Sequence, residues 1–79
     1  MDVKQIGRRI KGFRKLKGYT QEEFAKRMQV SVYMLSSIEQ GKRKLSDEQT
    51  EHVCHLLQIS ENELIGPKKR SEGQETSSG

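Results

Sequence analysis

The cationic side chains of this 79-residue sequence are concentrated in its first half. Residues 1–45 contain twelve Lys and Arg against four acids, whereas residues 46–66 contain five acids and no Lys or Arg. Ammonium and guanidinium groups bind phosphate through charge and hydrogen bonds. A basic N-terminal segment followed by an acidic segment is typical of a protein that presents one face to a polyanion such as nucleic acid. A solvated surface that happens to be lopsided is the alternative.

His52, Cys54 and His55 carry donor atoms for a metal and lie close together in the sequence. On a helix, positions 52 and 55 share a side while position 54 points away, and a structural zinc site needs four ligands at defined spacing. The sequence therefore predicts no metal site. It has no glycine-rich phosphate loop and no convincing nucleophile–base pair, so it predicts neither an enzyme nor a cofactor.

Helix-start signals recur along the first 66 residues. Three pairs have the capping-box spacing, in which Ser or Thr is followed three positions later by Glu or Gln. Ser31 can cap a further helix, and an earlier helix is indicated by apolar residues that recur every three or four positions. No alternating strand pattern competes, so the sequence predicts an all-α fold. The capping pairs are Thr20 and Glu23, Ser46 and Gln49, and Ser60 and Glu63, and the first apolar stripe is Val3, Ile6, Ile10 and Phe13.

The segment 20–41 reads as two short helices joined by a tight turn. The first helix has a small residue where the second would cross it, and the second has two aliphatic residues three apart that would anchor it. The turn needs a residue that tolerates positive φ, and finding Gln29 there in place of Gly costs roughly 1 kcal/mol. Such a helix-turn-helix can place one helix in the major groove of DNA, whereas the alternative is an ordinary helical hairpin. The structural positions are Ala25, Gln29, Val30, Leu35 and Ile38.

Residues 67–79 are polar and rich in Ser, Gly and Glu. Such a segment cannot bury enough surface to offset its ordering entropy. The sequence therefore predicts one domain at 1–66 and a disordered polar tail at 67–79. No apolar run approaches membrane-spanning length or resembles a signal peptide. Because the single cysteine cannot form an internal disulfide, a cytoplasmic protein is expected.

Across residues 6–66 the sequence resembles the phage repressor/Cro-type (XRE) helix-turn-helix proteins of bacteria and their viruses. The segments that carry the resemblance are IGRRIKGFRKLKGYTQEEFAKRM, VSVYMLSSIEQGKRK and HLLQISENELIG. It implies a compact five-helix lambda-repressor-like DNA-binding domain with its helix-turn-helix at helices 2 and 3. It also implies that helix 3 lies in the major groove and that Arg14 pairs with Glu39, which ties helix 1 to helix 3. Cys54 falls where the family has a small buried residue, so the resemblance implies that it is a core residue.

The resemblance also implies two sets of DNA contacts. The base-reading positions fall on Val32, Tyr33, Ser36 and Ser37, and the phosphate-binding positions on Thr20, Gln21, Arg14, Gln40, Lys42, Arg43 and Lys44. At Gln21, a side-chain amide at the positive end of a helix fits a phosphate contact independently. A valine cannot hydrogen-bond a base edge, although it can pack on a thymine methyl group. Direct readout is therefore expected to be weak, with DNA shape contributing more.

These features predict a sequence-specific DNA-binding transcriptional regulator, a repressor, whose partner is double-stranded operator DNA. One reading helix contacts only a few base pairs, so useful specificity favours a homodimer on a pseudo-palindrome. The alternative is a protein-interaction module, such as an antitoxin or a regulator's partner, that uses the helix 3 surface or the acidic C-terminal half. The dimer contact is expected around Leu56, Ile59, Leu64 and Ile65.

Overall fold

Residues 2–66 form five α-helices in the computed structural model, which describes this part of the chain. The helices are α1 (Val3–Leu16), α2 (Gln21–Met28), α3 (Val32–Glu39), α4 (Asp47–Leu57) and α5 (Glu61–Ile65). Between residues 2 and 66 there is no β-strand, and the predicted all-α, five-helix fold is confirmed. Residues 67–79, for which the sequence predicts a tail, lie outside the described residues.

Side-chain caps fix where the helices begin. At every helix start, the N-cap oxygen accepts a hydrogen bond from the backbone N–H three residues on, which has no partner inside the helix. The capping boxes that begin at Thr20, Ser46 and Ser60 have both of their reciprocal hydrogen bonds. Asp2 caps α1 by accepting from the N–H of Gln5 at 2.8 Å, a cap that the sequence reasoning missed.

All five helices contribute to one apolar core. Burying such side chains contributes about 1.5–3 kcal/mol each, so separating any helix from the rest would expose apolar surface. The aliphatic pair predicted to anchor helix 3 is part of this core, as is the predicted core residue Cys54. The largest fully buried side chains are Ile10 of α1, Phe24 of α2, Leu35 and Ile38 of α3, Val53 and Leu57 of α4, and Leu64 of α5.

A glycine allows α1 to approach the backbone of α3 closely. A Cβ atom on Gly7 would stand 2.4 Å from the carbonyl oxygen of Ile38 and 2.7 Å from that of Glu39. Real Cβ atoms essentially never come this close to another heavy atom, so no larger residue fits without moving a helix. Gly12, in contrast, would have no neighbour within 4 Å of an added Cβ.

The turn between α2 and α3 has the backbone geometry that the sequence pattern requires. Gln29 adopts the left-handed conformation at φ 63° and ψ 39°. The backbone N–H of Val30 then returns to the carbonyl oxygen of Ala25 at 3.0 Å, and Ala25 is almost completely buried. Gln58 adopts the same conformation after α4, at φ 58° and ψ 45°.

Candidate nucleic-acid interface

Helix α3 is buried on one side and open on the other. Leu35 and Ile38 point into the core and are at most 1% exposed, whereas Val32 and Tyr33 are 40% and 81% exposed. The remaining predicted base-reading residues, Ser36 and Ser37, are half-buried and lie with Tyr33 on the outer side at helical spacing. The structure thus brings the predicted base-reading positions together on one outward face, called here the reading face.

The reading face has limited capacity for hydrogen bonds. Val32 is apolar, and the side-chain amide of Gln40 donates to the hydroxyl of Ser36 at 2.8 Å. Among the predicted base-reading residues, the hydroxyl groups of Tyr33 and Ser37 have no such side-chain partner within residues 2–66. This surface can therefore make apolar contacts with base edges in addition to a few hydrogen bonds.

The carboxylate of Glu39 joins the first three helices. Its Oε2 accepts from Nε of Arg14 at 2.7 Å, and the two side chains are only 7% and 3% exposed for Arg14 and Glu39 respectively. Its Oε1 accepts from the side-chain amide of Gln21 at 3.1 Å. Since Arg14 is on α1, Gln21 on α2 and Glu39 on α3, one buried carboxylate fixes the orientation of α3.

This geometry corrects the assignment of Arg14 to the phosphate contacts. In addition to its bonds with Glu39, its Nη1 donates to the backbone carbonyl of Tyr19 at 2.9 Å, and the residue is 6% exposed. A guanidinium buried and bonded in this way is not available to a phosphate. Gln21 is half-buried at the first turn of α2, where its side-chain amide is bonded to Glu39.

Thr20 occupies the N-cap of α2. Its hydroxyl accepts from the N–H of Glu23 at 3.0 Å and lies 3.2 Å from the Glu23 carboxylate. Two groups of Thr20 donate hydrogen bonds to the charged carboxylate of Glu23 and lower its pKa. The backbone N–H has the larger effect and the hydroxyl the smaller. Thr20 is exposed at the positive end of α2, and its hydroxyl is already hydrogen-bonded within the cap.

Three cations follow α3 in a short loop. Lys42, Arg43 and Lys44 are all exposed. The loop is anchored on one side by Gly41, which ends α3 at φ 78°, and on the other by buried Leu45. The predicted phosphate-binding loop is thus anchored at both ends, and its three charged side chains face solvent.

A family model described as helix-turn-helix matches residues 10–64, well over half of the chain. This chain belongs to the helix-turn-helix family. The match includes the whole of α2 and α3, and the resemblance to XRE-type proteins is confirmed. The family comprises DNA-binding transcription regulators rather than enzymes, and the chain is a regulator with a helix-turn-helix DNA-binding domain.

Relatives and solved structures agree with this membership. The uncharacterized HTH-type transcriptional regulator YazB of Bacillus subtilis (strain 168) is 48% identical over 69 residues, which cover 87% of this chain and 100% of that protein. Antitoxin PezA of Streptococcus pneumoniae serotype 4 is 34% identical over 64 residues, which cover 81% of this chain and 40% of that protein. The crystal structure of the clp gene regulator ClgR from Corynebacterium glutamicum has a TM-score of 0.76 and 33% identity, covering 80% of this chain and 67% of that one.

Helix α4 contains the candidate metal ligands His52, Cys54 and His55. Within residues 2–66, no group of three or more His, Cys, Asp or Glu is placed to hold a metal ion. Cys54 is buried, and burial, with the charges of Glu61 and Glu63, raises the pKa of its thiol. None of the helices within the same range is long and apolar enough to cross a membrane.

Two features of the surface were not anticipated. Leu64, predicted near a dimer contact, is fully buried and cannot reach a partner, whereas Leu56, Ile59 and Ile65 are half-buried. Sequence reasoning also missed a row of exposed cations on α1, although their regular spacing was available to find them. These residues are Lys4, Arg8, Lys11 and Lys15.

Proposed function

We propose that this chain is a sequence-specific transcriptional repressor that binds operator DNA with α3 in the major groove. The observation that carries the proposal is the reading face: Val32 and Tyr33 are 40% and 81% exposed on a helix whose opposite side is fully buried. The N-terminal residues of a recognition helix are the ones that contact base edges. An exposed aromatic beside an exposed aliphatic suits this role, because thymine offers a methyl group in the major groove.

Phosphate contacts are assigned to the two ends of the helix pair. Thr20 and Gln21 lie at the start of α2, where unpaired N–H groups and the helix dipole attract anions. Lys42, Arg43 and Lys44 follow α3 and are exposed. Contacts on both sides of the reading face would fix the register of α3 on the duplex without reading its sequence.

A homodimer is proposed because α3 is only eight residues long and can reach few base pairs. Two copies on a pseudo-palindrome would place half-sites about one helical turn apart. Leu56, Ile59 and Ile65 are half-buried apolar side chains in the C-terminal half, and they are the proposed contact. Sedimentation of the full chain with and without its selected duplex tests the stoichiometry, and one chain per palindromic duplex would refute the dimer.

Selection of bound sequences from a random pool of DNA duplexes tests the proposal as a whole. The expected result is a conserved half-site in two inverted copies, with binding in the range of about 10⁻⁸ to 10⁻¹¹ M that weakens steeply as salt rises. Ser37→Ala should change the selected sequence, whereas Lys44→Ala should weaken all sequences alike and reduce the salt dependence. A pool that shows no preference, or affinity independent of salt, would refute DNA binding as the function.

Uracil substitution of the selected duplex tests the role of Val32. Removing one buried methyl group costs about 0.8 kcal/mol, so replacing the contacted thymine by uracil in one half-site should lower the affinity of the duplex about fourfold. Val32→Ala should abolish this difference, and Ser37→Ala should preserve it. Uracil without effect at every thymine would exclude the methyl contact.

The second candidate function is protein binding through the same exposed surface. An aliphatic–aromatic pair is also typical of protein interfaces, and the relative PezA is named an antitoxin. Under this alternative, the chain would co-purify with a second polypeptide, and Tyr33→Ala would release that polypeptide. Retention of the polypeptide by Tyr33→Ala, together with a selected DNA sequence, would favour the operator-binding function.

A further inference from the structure

Four cations form one stripe along the outside of α1. Lys4, Arg8, Lys11 and Lys15 are spaced by four, three and four residues, so they lie next to one another on the helix surface. All four are exposed, and α1 contains no acidic residue. None of them forms an ion pair with a carboxylate among residues 2–66. Since like charges at this spacing destabilise a helix, a bound polyanion would relieve their repulsion.

The α1 stripe lies on the side of α1 that is next to the reading helix. At 3.6 residues per turn, Gly7 and Arg14 border the stripe, and both contact α3 at Glu39. Arg9 lies on the other side of α1, where it donates to two backbone carbonyls of α5 at 3.3 and 3.5 Å. The stripe is therefore beside α3 and away from α5.

One end of the α1 stripe meets the basic loop after α3. A Cβ atom on Gly41 would stand 2.6 Å from Cγ of Lys4, so Lys4 packs against the residue that precedes Lys42, Arg43 and Lys44. The basic loop and the α1 stripe thus adjoin at Gly41 and Lys4. From Lys4 to Lys15 the stripe is about 16 Å long at 1.5 Å per residue.

We propose that the α1 stripe is a second phosphate-binding surface, which contacts the DNA backbone flanking the base pairs read by α3. A regular row of cations is complementary to regularly spaced phosphates. Because the α1 stripe adjoins the basic loop, one DNA strand can contact both. The inference rests on the DNA-binding function proposed above. It adds contacts that lengthen the bound segment of duplex and carry no sequence information.

Two double variants with the same net charge test the α1 stripe. Lys11→Gln/Lys15→Gln removes two cations from its far end, and Lys17→Gln/Lys26→Gln removes two exposed cations outside it. Affinity for the selected duplex is measured from about 50 to about 200 mM salt. Losing two phosphate contacts should reduce the slope of log affinity against log salt by about 1.8 for each bound protomer, so the affinity lost across this range becomes about twelvefold smaller per protomer. The control variant should keep the wild-type slope.

Duplex length supplies the second measurement. Trimming the base pairs that flank the selected sequence should lower the slope of the wild type more than that of Lys11→Gln/Lys15→Gln, which keeps only Lys4 and Arg8 in the stripe. An unchanged slope in that variant, or equal reductions in both double variants, would overturn the stripe while the proposed function stands. If the wild type prefers no duplex at all, both proposals are overturned.

Discussion

Gly7 and Gly12 lie on the same helix, and the same substitution is expected to change stability in opposite directions at the two positions. A methyl group on Gly7 would stand 2.4 and 2.7 Å from two backbone carbonyl oxygens of α3, atoms that cannot rotate away. A methyl group on Gly12 would meet nothing within 4 Å. Gly7→Ala therefore pushes α1 away from α3, whereas Gly12→Ala only introduces a better helix former.

The magnitudes follow from two competing effects. Replacing Gly by Ala inside a helix gains about 1 kcal/mol, so Gly12→Ala is expected to raise the free energy of unfolding by that amount. At Gly7 the same gain is opposed by overpacking, which costs up to about 3 kcal/mol, and the net loss is about 2 kcal/mol. The two variants should differ by about 3 kcal/mol, or roughly 12–24 °C in Tm for a domain of this size.

Urea denaturation followed by the helical circular dichroism signal measures both variants against the wild type. The expected result is a midpoint that moves up for Gly12→Ala and down for Gly7→Ala at an unchanged m value. A Gly7→Ala chain as stable as Gly12→Ala would refute the close approach of α1 to the carbonyl groups of α3. A changed m value would indicate that the denatured state, and not this contact, had been altered.

Three further predictions concern the turn, the buried carboxylate and a cap. Gln29→Gly should raise the free energy of unfolding by about 1 kcal/mol, because Gly adopts positive φ without strain; thermal unfolding measures this. Glu39→Ala should lower it by about 3–5 kcal/mol, because Arg14 is left buried without a charged partner; urea denaturation measures this. The lowered pKa of Glu23 means that its contribution is present above the ordinary carboxyl pKa of 4.5 and is lost as the pH falls. Glu23→Gln should therefore show a smaller loss of Tm on acidification.

Each of these three predictions has a result that would contradict it. A less stable Gln29→Gly chain would show that the Gln29 side chain contributes more than its backbone strain costs. A Glu39→Ala chain within about 1 kcal/mol of the wild type would be incompatible with the buried ion pair. If the Tm of Glu23→Gln and that of the wild type fall equally on acidification, Glu23 does not couple folding to proton binding.

The features predicted correctly from the sequence are those set by local chemistry. The capping box at Thr20 depends only on the residue three positions later, and the apolar stripe of each helix depends only on helical spacing. Gln29 was placed at positive φ because a helix-turn-helix requires such a residue at that offset. These relations act over a few residues, so the order of residues is sufficient to reveal them.

The need for Gly7 and the burial of Arg14 were missed because they depend on contacts between distant segments. The need for Gly7 arises from carbonyl oxygens more than thirty positions away in the chain, and nothing in its sequence neighbourhood indicates this. Arg14 was assigned to a phosphate as well as to Glu39, and only the burial of the pair excludes the first role. Gln58 was missed at positive φ because glutamine is not a residue that signals this conformation.

Under the proposed function the two sides of α3 have separate tasks, and this separation bears on how such a protein acquires new targets. Leu35, Ile38 and Glu39 hold the helix from inside, so substitutions of the exposed Val32 and Tyr33 should change stability by no more than about 0.5 kcal/mol. A lineage, or a designed library, can then vary the reading face one residue at a time and remain folded at every step. Because the inner contacts keep α3 in one orientation, each change would alter which bases are preferred and leave the angle of approach to DNA the same.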